Sequence, residues 1–505
     1  MVIRMISLLW NKTKEISEVN ECIFTDLKIT KLLENIFDTY TEVDDLLEVM
    51  KYIPDSETIE YRQEVLTDIF NDSENEFTKI YHELARIGGL YFNLKNSNEL
   101  IKRQILLLVY LNNYFEFLEY VYNAFTKLDV KSSCLNNIKN KIKEYFENKE
   151  TRKLVETVKS IYADIAPKLN FSATYKDGAP YVQIEFEKKQ TLEDDLLNIM
   201  DSFNIKRTKL PKASSHKEVN LMFLKEVVLE HIDLFKPIKE IYEKYYTDES
   251  FDLRPLQKEL RFYLNVKQLF DVLRKKDIKV SKVKISNEKT VINNAYDVTL
   301  TISNKTIIPN DFIINRNQNV IFLLGVNSGG KTCYLRSAAL SYFFFLITGY
   351  SFCESAEIEP VDYFYTHFPN EENYGVGEGR LKDEINRINS MKETFGEKTI
   401  CFCNETFSST SEEKACNLTY ELLNDLLSTN TKMLFVTHQY QIFEKIHNEK
   451  VVYLAPEIDE ADNNRRTHKI KKVEKNLLSY ANDILVKHGL SKKDLEEKVK
   501  RLSNE

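Results

Sequence analysis

The sequence predicts an α+β protein of several domains, in which a mostly α-helical N-terminal arm is followed by an α/β domain. Its length of 505 residues exceeds what a single hydrophobic core organises. Only three of the 12 glycines precede residue 300, and apolar residues in that part recur at the three- and four-residue spacing of helices. Beyond residue 280 the runs VSKVKIS, DVTLTIS and NVIFLLG predict strands, which then alternate with helical patterns to about residue 455.

These changes of pattern divide the chain into three parts. Residues 1–280 are predicted to form a helical core and lever, with a small hairpin or clamp-like insertion near residues 168–217. Residues 281–475 form the α/β domain, and residues 476–505 form a C-terminal helical segment. Within the arm, residues 98–127 carry the broad apolar face of a buried helix. Residues 170–189 alternate around a Lys-Asp-Gly turn, which is typical of a hairpin.

Composition restricts the classes of protein that the chain can belong to. The 43% hydrophobic and 29% charged residues are typical of a soluble globular protein. The longest apolar stretch, residues 338–350, is shorter than the ~20 residues that span a bilayer, and the first residues lack the hydrophobic core and cleavage site of a signal peptide. Seven cysteines without a zinc-like double pair indicate free thiols in a reducing compartment. We therefore expect a cytoplasmic protein without membrane contact, and we interpret Cys401 and Cys403 as core residues.

The net charge of −8 argues against a protein that binds nucleic acid through a generally basic surface. A local basic patch remains compatible with that charge, because phosphate affinity depends on a few clustered lysines and arginines. One cluster lies in the predicted arm insertion and a second spans residues 465–472; a solvated surface is the simpler interpretation of each. The first is retained as a candidate nucleic-acid contact, and it consists of Lys206, Arg207, Lys209 and Lys212.

The strongest motif is a glycine-rich loop between a β-rich run and a helical stretch. Residues 325–332 read GVNSGGKT and satisfy G-x-x-x-x-G-K-[ST] in its strand–loop–helix context. Glycines let the backbone wrap a phosphate, while loop N–H groups and the helix N-terminus supply positive potential. Lys331 is expected to reach the β- and γ-phosphates, and Thr332 to place its hydroxyl on Mg²⁺. The predicted ATP-binding residues are Gly325, Asn327, Ser328, Gly329, Gly330, Lys331, Thr332 and Cys333.

An ATPase with such a loop also needs an apolar strand that ends in an acid, which holds the metal and polarises water. The run TICFC is followed by Asn404 and Glu405, about seventy residues after the loop. Glu405 is the predicted general base, and Thr332, Asn404 and Glu405 are the predicted metal-site residues. Asn404 stands where an aspartate is usual, so its amide oxygen can accept but brings no charge to the metal.

A third apolar strand ends in a polar pair. The run KMLFV precedes Thr437 and His438. A polar residue at the tip of a neighbouring strand can sense the γ-phosphate, so His438 is the second predicted catalytic residue. A structural histidine is the alternative interpretation.

Together these residues resemble the MutS family of DNA mismatch repair ATPases. GVNSGGKTCYLR is similar to that family's GPNMGGKSTYLR, and PND at residues 309–311 resembles a short element before its P-loop. NETFSSTS resembles its DE-x-G-R-G-T-S element, VTHQ its ATH segment, and SAEIEPVDYFYTH its strand ending in Phe-Thr-Arg, with His367 in the arginine position. SYANDILVKHGL resembles the stretch before the family's dimerising helices, and DSETIEYRQEVLTDIF a segment of its helical core. The resemblance implies an ABC-type P-loop ATPase domain with ATP and Mg²⁺ as cofactors.

Several departures from the family pattern affect the expected activity. The ABC-type signature Ser-Thr-Phe-x-x-Glu aligns with residues 379–384, where Gly379 replaces the serine that touches the partner's γ-phosphate. In our interpretation Gly379 supplies a backbone N–H, Arg380 a charge and Glu384 the matching acid of this trans signature loop. With Asn404 at the metal, we expect hydrolysis that is slow or dependent on an activator.

The family's mismatch-reading N-terminal domain has no counterpart in the pattern of this chain. Its Phe-x-Glu wedge is matched only by Phe117-Leu-Glu119, which lies inside an apolar helix and is interpreted as core. We therefore expect no mismatch recognition of that kind.

The resemblance implies a homodimer with two composite ATP sites, whose closure is transmitted to the arms. The favoured function is a DNA-binding ATPase that clamps double-stranded or branched DNA in repair or recombination. One alternative is a related ATPase acting on RNA or ribosomes, and another is a weakly hydrolysing ATP-binding switch for protein partners.

Overall fold

The computed structural model describes residues 6–11, 17–165, 170–176, 179–185, 232–303, 305–325, 330–369, 377–396, 398–407, 409–439, 441–458 and 466–474. The α-helices are α1 (Cys22–Asp26), α2 (Ile29–Glu34), α3 (Tyr40–Met50), α4 (Ser56–Asn71), α5 (Glu76–Asn96), α6 (Leu100–Lys127), α7 (Ser133–Glu147), α8 (Lys149–Ile165), α9 (Ile232–Tyr245), α10 (Arg254–Arg274), α11 (Lys331–Thr348), α12 (Gly377–Lys392), α13 (Glu412–Leu427) and α14 (Gln441–Lys445). The strands are β1 (Ser17–Glu18), β2 (Tyr52–Ile53), β3 (Asn170–Lys176), β4 (Ala179–Glu185), β5 (Ser281–Lys282), β6 (Lys284–Ile285), β7 (Lys289–Ala295), β8 (Asn310–Asn315), β9 (Val320–Leu323), β10 (Tyr350–Ser351), β11 (Ser355–Ile358), β12 (Tyr363–His367), β13 (Thr399–Asn404), β14 (Lys432–Val436), β15 (Val451–Ile458) and β16 (Arg466–Val473).

The chain separates into two compact units. Unit 1 consists of residues 1–9 and 67–264, and unit 2 of residues 10–66 and 265–505. The basic cluster of residues 206–212, the loop residues 327–329 and the C-terminal segment 476–505 lie outside the described residues. The predictions made for them therefore stay predictions.

Unit 1 is organised around helix α6, which is buried on all sides. Residues 104–115 are buried without interruption, so the prediction of a buried helix over residues 98–127 is confirmed. Phe117 is also buried, which confirms its interpretation as a core residue. Strands β3 and β4 form the antiparallel hairpin predicted for residues 170–189.

Unit 2 contains a six-stranded sheet in the order β12-β13-β14-β9-β15-β16. All neighbouring pairs are parallel except β15 with β16. Every residue of β9 and β13 is buried, as expected for central strands that are covered on both faces. The carboxyl ends of β9, β13 and β14 meet at one edge of this sheet, which is where ligands bind in parallel α/β sheets.

Helix α11 is buried along its length and contacts strands of the six-stranded sheet and of a second, four-stranded sheet. The second sheet has the order β6-β11-β7-β8. The apolar run that begins at Ala338 is therefore a core helix. Among the residues that the structure describes, no helix is long and apolar enough to cross a membrane.

The N-terminal residues divide between the units differently from the prediction, which placed all of residues 1–280 in the arm. Residues 10–66 belong to unit 2. Helix α4 shows the reason, because Gln63 Nε2 donates to Val283 O at 2.9 Å and to Gly349 O at 2.5 Å, and Arg62 donates to Ile347 O at 3.0 Å. Helical periodicity reveals that a helix has a buried face but not which core receives that face.

The run DVTLTIS was predicted to be a strand, and this prediction is wrong. Residues Val298–Ser303 form a 3-10 helix. Asp297 Oδ1 accepts hydrogen bonds from the Thr299 amide at 3.2 Å and hydroxyl at 2.6 Å. Such a local bond from an aspartate favours a turn over a strand, whatever the alternation of the following residues.

Candidate nucleotide-binding site

The glycine-rich loop leaves β9 and enters α11 as the sequence predicts. Lys331 is the first residue of α11, and its Nζ donates to Gly325 O at 2.7 Å, so the side chain reaches back to the first glycine of the motif. Gly325 has φ +125°, and a Cβ there would lie 2.7 Å from Cδ of Pro456 on β15. Gly330 has φ +89°. Both glycines are therefore needed for the backbone path, as a phosphate-binding loop requires.

A cavity of about 380 Å³ opens beside this loop. One wall is the N-terminal end of α11, and another is the segment of residues 305–310 that precedes β8. Its lining residues are Asp297, Leu300, Lys305, Thr306, Ile307, Ile308, Asn310, Gly330, Lys331, Thr332, Cys333, Tyr334, Ser337, Glu405 and His468. The mixture of apolar walls with a few polar groups is typical of a small-molecule pocket.

The two predicted catalytic residues meet at the sheet edge. His438 Nε2 lies 3.0 Å from Glu405 Oε1. Adjacent strands position them, because Asn404 pairs with Val436 and the Glu405 amide donates to Val436 O at 2.8 Å. Glu405 has φ +48°, an uncommon conformation for a residue other than glycine. Glu405 lines the cavity, so the candidate base lies beside the glycine-rich loop, and His438 contacts it from the neighbouring strand end.

Asn404 suits an oxygen-ligated cation. Its residue is 7% exposed, and its Oδ1 has no hydrogen-bond partner. Buried carbonyl oxygens are seldom left unpaired, and Mg²⁺ prefers hard oxygen ligands such as an amide oxygen, a hydroxyl and a carboxylate. Asn404, Thr332 and Glu405 therefore fit the cation that the motif implies. The described residues hold no cluster of three His, Cys, Asp or Glu that could bind a metal ion, so phosphate oxygens would have to complete the ligand set.

The predicted signature residues lie on helix α12. Gly379 and Arg380 are in its first turn. Glu384 is one turn further on, and its Oε2 accepts from Ser409 Oγ at 2.8 Å. Ser409 follows Glu405 by four residues. A hydrogen bond within one chain therefore connects helix α12, which carries the predicted signature residues, to the segment that follows the candidate base Glu405.

His367, which occupies the family's arginine position, is buried at the end of β12. Its Nδ1 lies 3.4 Å from Thr406 Oγ1. Burial, together with the nearby Arg387 guanidinium, lowers the pKa of His367 to about 3. The imidazole is therefore neutral and carries no arginine-like charge.

Sequence reasoning missed part of the cavity wall. Asn310 Nδ2 donates to His468 O at 3.1 Å, and Asn310 Oδ1 accepts from the Ile470 amide at 2.8 Å. These bonds hold the segment of residues 305–310 against β16 and bring His468 to the cavity. Asn310 belongs to the PND element noted in the sequence. The sequence does not show that its hydrogen-bond partners on β16 lie about 160 residues away. Lys471, from the second basic cluster, forms an ion pair with Glu457.

The cysteines are free thiols, as expected. Cys401 and Cys403 are fully buried, and burial raises the pKa of the Cys403 thiol to about 12. Their interpretation as core residues is confirmed. Cys333 is partly exposed and lines the cavity.

Fold and site together define a parallel-sheet α/β domain that carries a glycine-rich sequence between a strand and a helix, and a Glu–His pair on neighbouring strand ends. Residues 321–492 match the family model for MutS domain V. In this region the chain is similar to the MutS family, and the match covers about a third of its length.

Individual relatives agree with this match. The chain is 24% identical over 160 residues to the DNA mismatch repair protein MutS of Clostridioides difficile, covering 31% of this chain and 17% of that protein. It is 28% identical over 140 residues to the MutS of Chlorobaculum parvum, covering 27% and 16%. It is 25% identical over 155 residues to MutS protein homolog 4 of Mus musculus, covering 31% and 14%. These matches span about a sixth of the relatives' length.

Proposed function

We propose that unit 2 binds ATP with Mg²⁺ and hydrolyses the ATP, and that the chain works as a DNA-binding dimer. The observation that carries this proposal is that Lys331 and Glu405 line the same cavity, with Asn404 preceding Glu405 at the strand end and His438 hydrogen-bonded to Glu405. The match of residues 321–492 to MutS domain V supports it independently.

The cavity divides into a phosphate end and a base end. The N-terminus of α11 and the Lys331 ammonium attract the phosphates, since both present positive charge there. Ile307 and Ile308 offer an apolar surface for the base, and His468, whose ring lies beside Gly330, lines the same cavity. This arrangement would hold a purine nucleotide with its phosphates toward Glu405.

Glu405 is the group that can accept a proton from the attacking water. Its carboxylate faces the cavity and is held by the hydrogen bond with His438. An oriented carboxylate is an effective general base because its lone pair already points at the proton to be removed. His438 in turn stands at the end of β14, where it can contact a γ-phosphate.

Mg²⁺ bound by Asn404, Thr332 and the phosphates would neutralise charge that develops on the transferred group. Asn404 offers an uncharged oxygen in place of a carboxylate. The cation is then held less strongly, because one full charge of the usual attraction is missing. We therefore propose slow hydrolysis that is accelerated by an activator.

DNA is the proposed activator, in keeping with the names of the MutS relatives. ATP would join two copies of unit 2, with Gly379 and Arg380 of each copy completing the site of the other. Closure would be coupled to the grip of the arms on double-stranded or branched DNA. RNA, a ribosome or a protein partner is the alternative activator.

The test is steady-state ATP hydrolysis alone and with duplex, mismatched and branched DNA and structured RNA. A change in rate with one DNA shape supports the proposal and identifies the substrate class. A change in the rate of hydrolysis with RNA alone indicates that the protein acts on RNA or ribosomes instead of DNA. A rate of hydrolysis that no nucleic acid changes contradicts coupling to DNA. If no hydrolysis occurs under any condition, the protein is not an ATPase but an ATP-binding switch.

Lys331→Ala tests the site itself. Charge-assisted hydrogen bonds to phosphate contribute about 1.5–3 kcal/mol, so we expect ATP affinity to fall by roughly 10- to 100-fold. Equilibrium binding of a fluorescent ATP analogue measures the change. Lys414→Ala, which removes an exposed lysine from α13, is the matched control. Unchanged ATP affinity in the Lys331 variant would show that this is not the ATP-binding site.

A further inference from the structure

A buried carboxylate from the N-terminal segment reaches the signature helix. Asp26 ends α1, and its side chain is only 3% exposed. Thr366 Oγ1 donates to its Oδ2 at 2.7 Å, Arg387 donates to the same oxygen, and the Phe368 backbone forms a further hydrogen bond with the carboxylate. The carboxylate thus joins α1 to both β12 and α12.

Arg387 lies on α12, one turn after Glu384. Its Nη2 also donates to Thr366 O at 2.9 Å. Glu384 is held by Ser409, as described above. Helix α12 is therefore fixed at two consecutive turns, once to the turn after Glu405 and once to Asp26. Because an α-helix is a stiff rod that rises 1.5 Å per residue, these two contacts set the position of its first turn, where Gly379 and Arg380 lie.

Apolar packing alone does not fix this helix as closely. Ile388 and Met391 anchor α12 in the core, but the hydrophobic effect is non-directional and tolerates small rotations and shifts along the axis. A buried ion pair with added hydrogen bonds has one good geometry, since an unpaired charge in that environment is costly. Asp26 and Arg387 supply the directional part of the attachment.

We propose that Asp26 is a positioning residue for the signature helix: through Arg387 and Thr366 it sets where the first turn of α12 meets the nucleotide of the partner subunit. This inference rests on the proposed function, in which α12 acts in trans. Asp26 is then required for ATP hydrolysis at the site of the partner subunit, but it is not required for nucleotide binding in its own subunit.

The test measures hydrolysis by wild-type chains mixed with an excess of inactive chains, so that nearly every wild-type site is completed by an inactive partner. Partners that carry Lys331→Ala alone retain α12, and the rate of wild-type chains mixed with them is the reference for every other mixture. Partners with Lys331→Ala and Arg380→Glu abolish hydrolysis if the sites are composite. Partners with Lys331→Ala and Asp26→Ala are expected to lower the wild-type rate roughly 100-fold, since a misplacement of about 1 Å can have that effect.

Two further partners keep the test decisive. Lys331→Ala with Asp44→Ala removes an exposed carboxylate on α3 and must behave like Lys331→Ala alone. Lys331→Ala with Thr366→Val conserves volume while removing one donor to Asp26, and we expect a rate about 10-fold lower. This variant decides the question if Asp26→Ala prevents folding or dimer formation.

The two proposals fail in different ways. If Arg380→Glu partners abolish hydrolysis while dimeric Asp26→Ala and Thr366→Val partners do not, the positioning role of Asp26 is wrong and the composite site stands. If none of these partners lowers the rate, the composite site itself is wrong.

Discussion

At the scale of single residues, burial keeps the His367 side chain neutral at a position where the family pattern has a charged arginine. The imidazole is 1% exposed and its pKa is lowered to about 3 by desolvation and by Arg387. The unfolded chain binds a proton near the ordinary histidine pKa of 6.5, whereas the folded chain does not. The neutral ring therefore contributes stability that is fully present above pH 6.5 and is lost as the pH falls toward 3.

His367→Gln should remove this pH dependence. Between pH 6.5 and 3 the wild-type free energy of unfolding should fall by up to about 1.4 kcal/mol per pH unit from this residue alone. Urea unfolding of both proteins at pH 7.5 and at pH 5 measures the difference. The variant should lose less stability than the wild type on acidification, and equal losses would show that His367 is protonated in the folded state.

A comparison of Gly325 with Gly396 distinguishes the effect of backbone strain from the effect of a close neighbouring residue. Both have positive φ, but a Cβ at Gly325 would overlap Pro456, whereas a Cβ at Gly396 would meet nothing within 4 Å. Alanine at either position should cost about 1 kcal/mol of strain, and Gly325→Ala a further ~1–3 kcal/mol from overlap. Thermal unfolding and ATP-analogue binding measure both effects. We expect ATP binding to be lost only in Gly325→Ala, and equal behaviour of the two variants would contradict the close approach to Pro456.

At the scale of elements, the segment of residues 305–310 depends on β16 for its position. Asn310 joins the two through the backbone of His468 and Ile470. The segment carries the apolar surface proposed for the base, while the phosphate end of the cavity belongs to α11. The two ends of the site are thus positioned by different elements.

Asn310→Ala should weaken nucleotide binding at the base end only. Loss of two hydrogen bonds of about 1 kcal/mol each predicts an ATP affinity that is lower by up to roughly 30-fold. Inorganic triphosphate has no base, so its affinity should not change; competition against a fluorescent ATP analogue measures both ligands. Asn315→Ala, at the exposed end of the same strand, is the control. Equal losses for ATP and triphosphate would indicate damage to the phosphate end instead.

At the scale of the whole molecule, the proposed cycle requires ATP to hold two chains together. Glu405→Gln keeps the size and the hydrogen-bonding capacity of the side chain but removes the base. ATP should therefore bind and persist, and the variant should accumulate as dimers with ATP and remain dissociable with ADP. Light scattering during size-exclusion chromatography reports the mass. A variant that binds ATP and stays monomeric would rule out the composite site.

Much of unit 2 could be predicted because its signals are local. The strand–loop–helix around Lys331 and the strands before Glu405 and His438 each lie within about ten residues. Their meeting at one edge follows from parallel pairing, which aligns the carboxyl ends of the strands.

The remaining features depend on contacts between distant residues. Asp26 and Arg387 are 361 positions apart, and Asn310 and Ile470 are 160 apart. No periodicity encodes such pairs. The 3-10 helix after Asp297 was missed for another reason, since the two hydrogen bonds from Thr299 to the Asp297 side chain favour a turn despite the β propensity of the following residues.

The left-handed backbone at Glu405 has an evolutionary consequence. Glycine adopts that conformation without strain, so drift toward glycine at this position would stabilise the domain. A lineage that needed only the scaffold would have no reason to resist such drift. A glutamate that keeps this conformation despite the strain therefore marks a position at which the side chain matters more than the stability of the scaffold.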